Sequence, residues 1–224
     1  MKQFPSSWLQ GVSRGEAITC ELRLQILDGR IKSGEVLSEN RIAADFGVSR
    51  SPVREALKAL SSEGLIRLER MGAVVLGLSQ EHVEELYDVR FLIESFAQQR
   101  LADGDHQALL NQLKQAIDKM ELAVKHDDIV QFAQLDFGFH EAIVTEAGHT
   151  RILHLWNSIR HLVLTLMLIT TKEVFSEGEA KLQLVIDKHR TIVQALESRD
   201  REQIRRTVSD YFADSRKTLH ISLP

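Results

Sequence analysis

Ser49-Arg50-Ser51-Pro52-Val53-Arg54-Glu55-Ala56-Leu57-Lys58 reads as a short helix with two unlike faces. At helical spacing Arg50, Arg54 and Lys58 stack on one side, while Val53, Ala56, Leu57 and Leu60 fall on another. Pro52 suits the first turn, where the N–H it lacks would have no intrahelical partner. Ser49 or Ser51 is placed to cap the backbone donors at that end. A packed face, a cationic face and a polar N-terminal end describe a helix laid in a DNA groove. A lone Arg-x-x-x-Arg is more often a solvated face, so the flanks must decide.

Upstream, Ser38 to Phe46 predicts another short helix, with Ser38 as cap and Glu39 near the positive end of the helix dipole. Gly47 follows, where a tight interhelical turn needs a residue tolerant of positive φ. Helix, glycine turn and helix form a helix-turn-helix. Downstream, Gly64 to Leu76 predicts a two-stranded hairpin with its tip at Arg70, Met71 and Gly72. A first helix over 15–29 offers Ile18, Leu22, Leu24, Ile26 and Leu27 as core. The expectation for residues 1–78 is a winged helix-turn-helix of three helices plus a β-hairpin. Its candidate DNA-binding residues are Ser38, Asn40, Ser49, Arg50, Ser51, Arg54, Arg70 and Gly72, with Arg14, Arg23, Arg30 and Lys32 as further phosphate contacts.

The formal charge of −4 is unevenly divided: residues 1–78 hold 11 Lys and Arg against 9 Asp and Glu, and residues 79–224 hold 17 against 23. The acidic half is therefore not what meets phosphate, and a weakly basic N-terminal half implies binding by dimeric avidity and base contacts. The single Cys20 forms no internal disulfide, no signal-peptide pattern opens the chain, and Leu162–Ile169, the most apolar run, falls short of the ~18 residues of a membrane span. A cytoplasmic protein with no membrane partner is expected.

After Leu78 the periodicity is helical, with Val83, Leu86, Val89, Ile93 and Phe96 or Ala97 as the first apolar stripe. Further helices are predicted over 105–125, 128–147, 150–172, 179–198 and 200–218. Residues 79–224 are thus an all-α bundle of six to seven helices with room for a central cavity. In it Asp136 and His140 share one helical face, and His189 lies on the fifth helix. That mixed oxygen and nitrogen set suits a divalent zinc, nickel, manganese or iron, although a surface Asp-x-x-x-His pair is the commoner explanation of such spacing. Arg90 shares a helix with core positions; its partner is Glu94 on the next turn or a ligand carboxylate.

The wording of these segments is also familiar. Leu37-Ser38-Glu39, Gly47 to Leu57 and Glu63-Gly64-Leu65-Ile66 resemble the N-terminal domain of the GntR family of bacterial transcription regulators. Residues 80–218 resemble the FadR-type C-terminal ligand-binding (FCD) domain, on Tyr87-Asp88-Val89-Arg90 with Glu94, Asp136 with His140, and His189-Arg190 with Ile192, Ala195 and Leu196. The resemblance implies a homodimeric repressor on palindromic operator DNA, released by a small carboxylate effector near Arg90 and Glu94, with Asn157, Arg160 and Tyr211 as further pocket candidates. It also implies a divalent metal on Asp136, His140 and His189 with a third His, whose position Tyr211 occupies here. A neutral phenol with pKa near about 10 is a poor ligand beside imidazole, so the site would hold at most three protein ligands. Without metal, the same four side chains would form a polar floor for an effector's hydroxyls. The wording from Leu37 to Phe46 and from Ile66 to Leu78 resembles that of family members controlling sugar-acid catabolic operons, which implies gluconate or a related sugar acid as effector. The rival reading, a metal-dependent enzyme using Asp136, His140 and His189, lacks an evident general base and leaves the DNA-binding half unexplained.

Overall fold

The computed structural model describes residues 3–70 and 72–222, with side chains described through Lys217. Met71 at the expected wing tip and the His220 side chain lie outside the described residues. The chain forms two compact units that divide between His82 and Val83.

In the first unit, a 3₁₀ turn at Ser6–Leu9 precedes α1 (Arg14–Leu27), β1 (Val36–Leu37), α2 (Glu39–Phe46), α3 (Arg50–Ser62), β2 (Ile66–Glu69) and β3 (Gly72–Val75). The apolar face of α3, namely Val53, Ala56, Leu57 and Leu60, is buried and packs on α1 with Ile18, Leu22, Leu24, Ile26 and Leu27. Gly47 ends α2 in the left-handed region at φ 65°, making the turn that a β-carbon would strain. Ser38 and Ser49 occupy the N-cap positions of α2 and α3, but neither side chain bonds a backbone N–H.

The wing is larger than the expected hairpin. Its strand order is β1-β3-β2, antiparallel throughout, with Val36 and Leu37 of β1 opposite Val74 and Ala73. Gly72 sits at φ 146°, and a β-carbon there would lie 2.7 Å from the Leu37 carbonyl oxygen. Arg23 is also corrected: it is buried and bridges Glu63 at 2.5 Å, tying α1 to the end of α3 instead of facing phosphate. Arg30 pairs with Asp28 at 2.6 Å.

The second unit is all helix: α4 (Gln80–Arg100, which begins just before the division), α5 (Gln107–Lys125), α6 (Ile129–Glu146), α7 (Thr150–Glu177), α8 (Glu179–Ser198) and α9 (Arg201–Ser222). Helix α5 packs on α6 and α8, α6 on α7, and α9 on α7 and α8. The core-facing stripe of α4 differs from the expected one. Val83, Leu86, Ile93 and Ala97 are buried, but Val89 and Phe96 are exposed, and Arg90 and Glu94 take their places inside. Helix α7 is 28 residues long and, by length and composition alone, apolar enough to cross a membrane, contrary to the expectation from its shorter apolar run. Its Trp156, Leu162, Val163, Leu166, Met167 and Leu168 are buried in the bundle, the behaviour of a core helix.

Candidate functional site

The first unit presents a groove lined by residues of α2, α3 and the wing. It gathers Ser38, Asn40, Arg50, Arg54, Arg70 and Gly72, six of the eight residues expected from sequence, together with Lys58 and Glu69. Ser49 and Ser51, at the exposed start of α3, do not line it. Between the two arginines sits a residue expected only to favour the start of α2: the Glu39 carboxylate accepts from Arg54 Nε at 2.9 Å and from Arg50 Nη2 at 3.3 Å. The hydrogen bond from Arg54, with the Arg50 charge, holds Glu39 below the usual carboxylate range.

The second unit encloses a buried polar cluster. From α4, Arg90 Nε donates to Glu94 Oε1 at 2.5 Å, and both side chains are almost wholly buried. The Arg90 guanidinium lies over the Tyr87 and Phe212 rings, 5.6 and 5.3 Å from their centroids. Burial opposes ionisation of Glu94, but the charges of Arg90 and His140 outweigh it and keep the carboxyl below its usual range. Arg90 stays cationic: Glu94 overcomes the desolvation that alone would lower it.

From α6, His140 Nδ1 donates to Glu94 Oε2 at 2.5 Å, and its Nε2 is 2.8 Å from Tyr211 Oη and 3.5 Å from Asp136 Oδ1. From α8, His189 Nδ1 donates to the Val185 carbonyl at 2.8 Å, and its Nε2 lies 2.9 Å from the same Asp136 oxygen. Each imidazole therefore carries a proton on Nδ1, fixed by an acceptor-only partner, and turns Nε2 toward Asp136. Burial raises Asp136, yet His189 and His140 overcome it and hold the carboxylate far below its usual range. Burial lowers His140, and Glu94 more than restores it, so its pKa is raised. Tyr211 goes the other way: burial, with Asp136, pushes its phenol well above the ordinary value, so it remains protonated.

One carboxylate oxygen and two Nε2 atoms, all within 4.8 Å of one another and all buried, could hold a metal ion. Anchoring each Nδ1–H on a carbonyl or carboxylate is how metal-binding imidazoles are oriented. The set fits a first-row divalent ion, and the surface-pair reading of Asp136 and His140 fails because both are buried.

Asp136, Arg90, Tyr87 and Tyr211 also line a cavity of about 60 Å³. Among the described residues Arg90 Nη2 has no hydrogen-bond partner, although it is buried. Asn157 is exposed, and neither it nor Arg160 lines this cavity; Arg160 turns to Glu141 at 2.7 Å. The lining that sequence reasoning missed comes from Met167, Thr170, Thr171, Val174, Lys188 and Ser215. The two threonines directly follow the apolar run of α7, and Lys188 precedes His189, signals that were present but carried no address in space.

Two family models cover most of the chain: the bacterial regulatory protein gntR family over residues 14–76 and the FCD domain over residues 85–214. The chain belongs to the GntR family of transcription regulators. It is 39% identical over 211 residues to the gluconate operon transcriptional repressor of Bacillus subtilis, and 38% identical over 211 residues to that of Bacillus licheniformis. Each alignment spans 94% of this chain and 87% of the relative. The E. coli protein McbR/YncC shares the fold, with a TM-score of 0.70 at 21% identity, over 93% of this chain and 98% of that one. A DNA-binding domain joined to an effector domain is thereby established, and the enzyme reading falls.

Proposed function

We infer that this regulator represses a sugar-acid catabolic operon and is released from DNA by gluconate or a related sugar acid. The observation that carries the effector reading is Arg90, which lines a cavity and whose buried Nη2 donor has no partner among the described residues. A buried unpaired donor costs roughly 1–3 kcal/mol, and more on a charged group, so a carboxylate that satisfies it binds with that advantage. Tyr87, Thr170, Thr171, Tyr211 and Ser215 offer hydroxyls on the same walls, which suits a polyhydroxy acid. The names of the two Bacillus relatives support gluconate among such acids.

Residues 79–224 hold the effector and a divalent metal, zinc, nickel, manganese or iron, on Asp136, His140 and His189. Asp136, His140 and His189 would hold such an ion, which would supply Lewis-acidic attraction for an acid's oxygens. Glu94 orients His140, and the Val185 carbonyl orients His189.

Residues 1–78 meet DNA through Arg50 and Arg54 on base edges or phosphates, Ser38, Asn40, Ser49 and Ser51 nearby, and Arg70 and Gly72 of the wing on the adjacent backbone or minor groove. A homodimer on a palindromic operator gives each α3 its own half-site. Exposed Val89, Leu92 and Phe96 share one face of α4 and supply an apolar surface for that pairing. The work is done in the cytoplasm, where bacterial DNA lies. Arg50→Ala is expected to lose about 1–3 kcal/mol of operator binding while the fold and the effector response persist. A panel of sugar acids scored for release of operator DNA, with and without chelator, tests the rest. Gluconate inert beside an active second acid removes the narrow statement; no acid active removes the effector reading.

A further inference from the structure

We propose that Glu39 is a specificity-determining residue of the DNA-binding face, acting through Arg50 and Arg54. The inference rests on the reading of those two arginines as DNA contacts. Glu39 opens α2, and Arg50 and Arg54 lie on the first turns of α3, so the tight turn at Gly47 brings one carboxylate beside two guanidinium groups. A single oxygen, Oε2, takes both bonds, at 2.9 and 3.3 Å. The arginine side chains are 58% and 56% exposed, against 27% for Glu39, so the carboxylate lies beneath them and the guanidinium groups face outward.

Two consequences follow from that placement. Arg54 has its Nε–H committed and Arg50 one Nη2–H, which fixes the planes of both forks and leaves their remaining donors for a partner. A fixed fork suits the paired acceptors of a guanine edge, whereas a freely rotating one serves any phosphate. The carboxylate also remains ionised beside Arg54 at every pH at which the protein meets DNA. A phosphate approaching either arginine must come close to that anion, while a neutral base edge need not. The groove holds Arg50, Arg54, Lys58 and Arg70 against Glu39 and Glu69, so one carboxylate is a large share of its net charge. Glu39 therefore lowers affinity for arbitrary DNA more than affinity for the operator.

The test uses the full chain and two duplexes of equal length: one selected by the protein itself from a random pool, the other of random sequence. Fluorescence anisotropy over a salt series gives affinity and salt slope for the wild type, Glu39→Gln and Glu69→Gln. Glu69→Gln removes an equal charge from the same groove without touching Arg50 or Arg54, since Glu69 pairs with Arg67. Glu39→Gln is expected to bind random duplex roughly five- to tenfold more tightly, with a salt slope steeper by about one per protomer as each gains a phosphate contact. Its gain on the selected duplex is smaller, so the specificity ratio falls about fivefold, while Glu69→Gln holds the wild-type ratio. A thermal midpoint equal to wild type confirms that the variant is folded. An unchanged ratio in folded Glu39→Gln, an equal fall in both variants, or weaker binding to both duplexes with a lowered midpoint overturns the proposal. Arg50→Ala keeps the failures apart: if it binds the selected duplex as the wild type does, the arginine reading fails first.

Discussion

Replacing Arg90 by methionine separates what the residue does for the fold from what it does for a ligand. Arg90 and Glu94 are both buried, and the Arg90–Glu94 bond is 2.5 Å. Arg90→Met keeps an apolar stem against Tyr87 and Phe212 but leaves Glu94 with His140 as its remaining charged partner. Breaking one side of a buried pair costs about 3–5 kcal/mol, because the surviving charge keeps its desolvation penalty. At about 3 °C per kcal/mol for a chain of this size, the thermal midpoint falls roughly 10–15 °C. The double variant Arg90→Met/Glu94→Gln removes both charges, and a glutamine oxygen still accepts from His140 Nδ1. Its stability should return to within about 1–2 kcal/mol of wild type, since replacing a whole buried pair is often near neutral. The acid response should not return. Loss of a charge-assisted bond worth about 1.5–3 kcal/mol weakens the effector by roughly ten- to a hundredfold. Calorimetric melting and titration of operator release by sugar acids read the two effects separately. A double variant that is both stable and fully acid-responsive would refute the assignment of Arg90 to the carboxylate. A single variant with an unmoved midpoint would refute the argument from the buried pair.

Three other substitutions test separate parts of the structure. Tyr211→His places a third imidazole, and so a fourth ligand, beside Asp136, His140 and His189 and should tighten divalent metal binding by about tenfold or more, measured by metal content after dialysis against graded chelator; unchanged retention counts against the three-ligand site. Gly72→Ala should cost roughly 1–3 kcal/mol, because the residue is held at φ 146° and the new β-carbon meets the Leu37 carbonyl, and operator affinity should fall as the wing loosens. Arg23→Met leaves Glu63 unpaired and should destabilise the protein by about 3 kcal/mol, while the salt slope of DNA binding stays at its wild-type value. A flattened slope would return Arg23 to the list of phosphate contacts.

The DNA-binding half was the more legible because its signals are local. The two faces of α3, the turn at Gly47 and the wing around Gly72 each occupy a few consecutive residues whose types are dictated by backbone geometry. Strand β1 escaped notice because two residues carry no periodicity; Val36 and Leu37 are a strand only by virtue of pairing with β3. In the effector half the helices were plain but the inward face of α4 was not. Hydrophobicity chose Val89, whereas the fold buries Arg90 and Glu94, which pair with each other inside the bundle. The metal triad was visible as residue types, and its convergence depends on α6 and α8 meeting, which no spacing along the chain reports. Lys188, Thr170 and Ser215 reach the cavity from three different helices for the same reason. Asn157 failed as a pocket candidate because it faces solvent, and Arg160 because Glu141, one turn beyond Phe137 on α6, captures it.

The size of the cavity bears on how an acid could release DNA. At about 60 Å³ it is several-fold smaller than the roughly 300 Å³ at which ligand pockets begin, so the conformation described here cannot enclose a six-carbon acid. On the function proposed above, the acid binds a second conformation in which α7, α8 and α9 stand further apart around Thr170, Lys188 and Ser215. Lys188 is held to Asp214 at 2.6 Å, an ion pair partly exposed and therefore cheap to break. A ligand shifts an equilibrium only by its differential affinity for the two states, and a small cavity lined by Arg90, whose Nη2 has no partner among the described residues, makes that difference large. Moving the population from about 99% closed to about 99% open requires roughly 5.5 kcal/mol of difference. One charge-assisted bond to Arg90 supplies up to about half of that. The remainder has to come from the acid's hydroxyls and from the Asp136, His140 and His189 centre. An acid lacking those hydroxyls should therefore occupy the site and yet release DNA only in part.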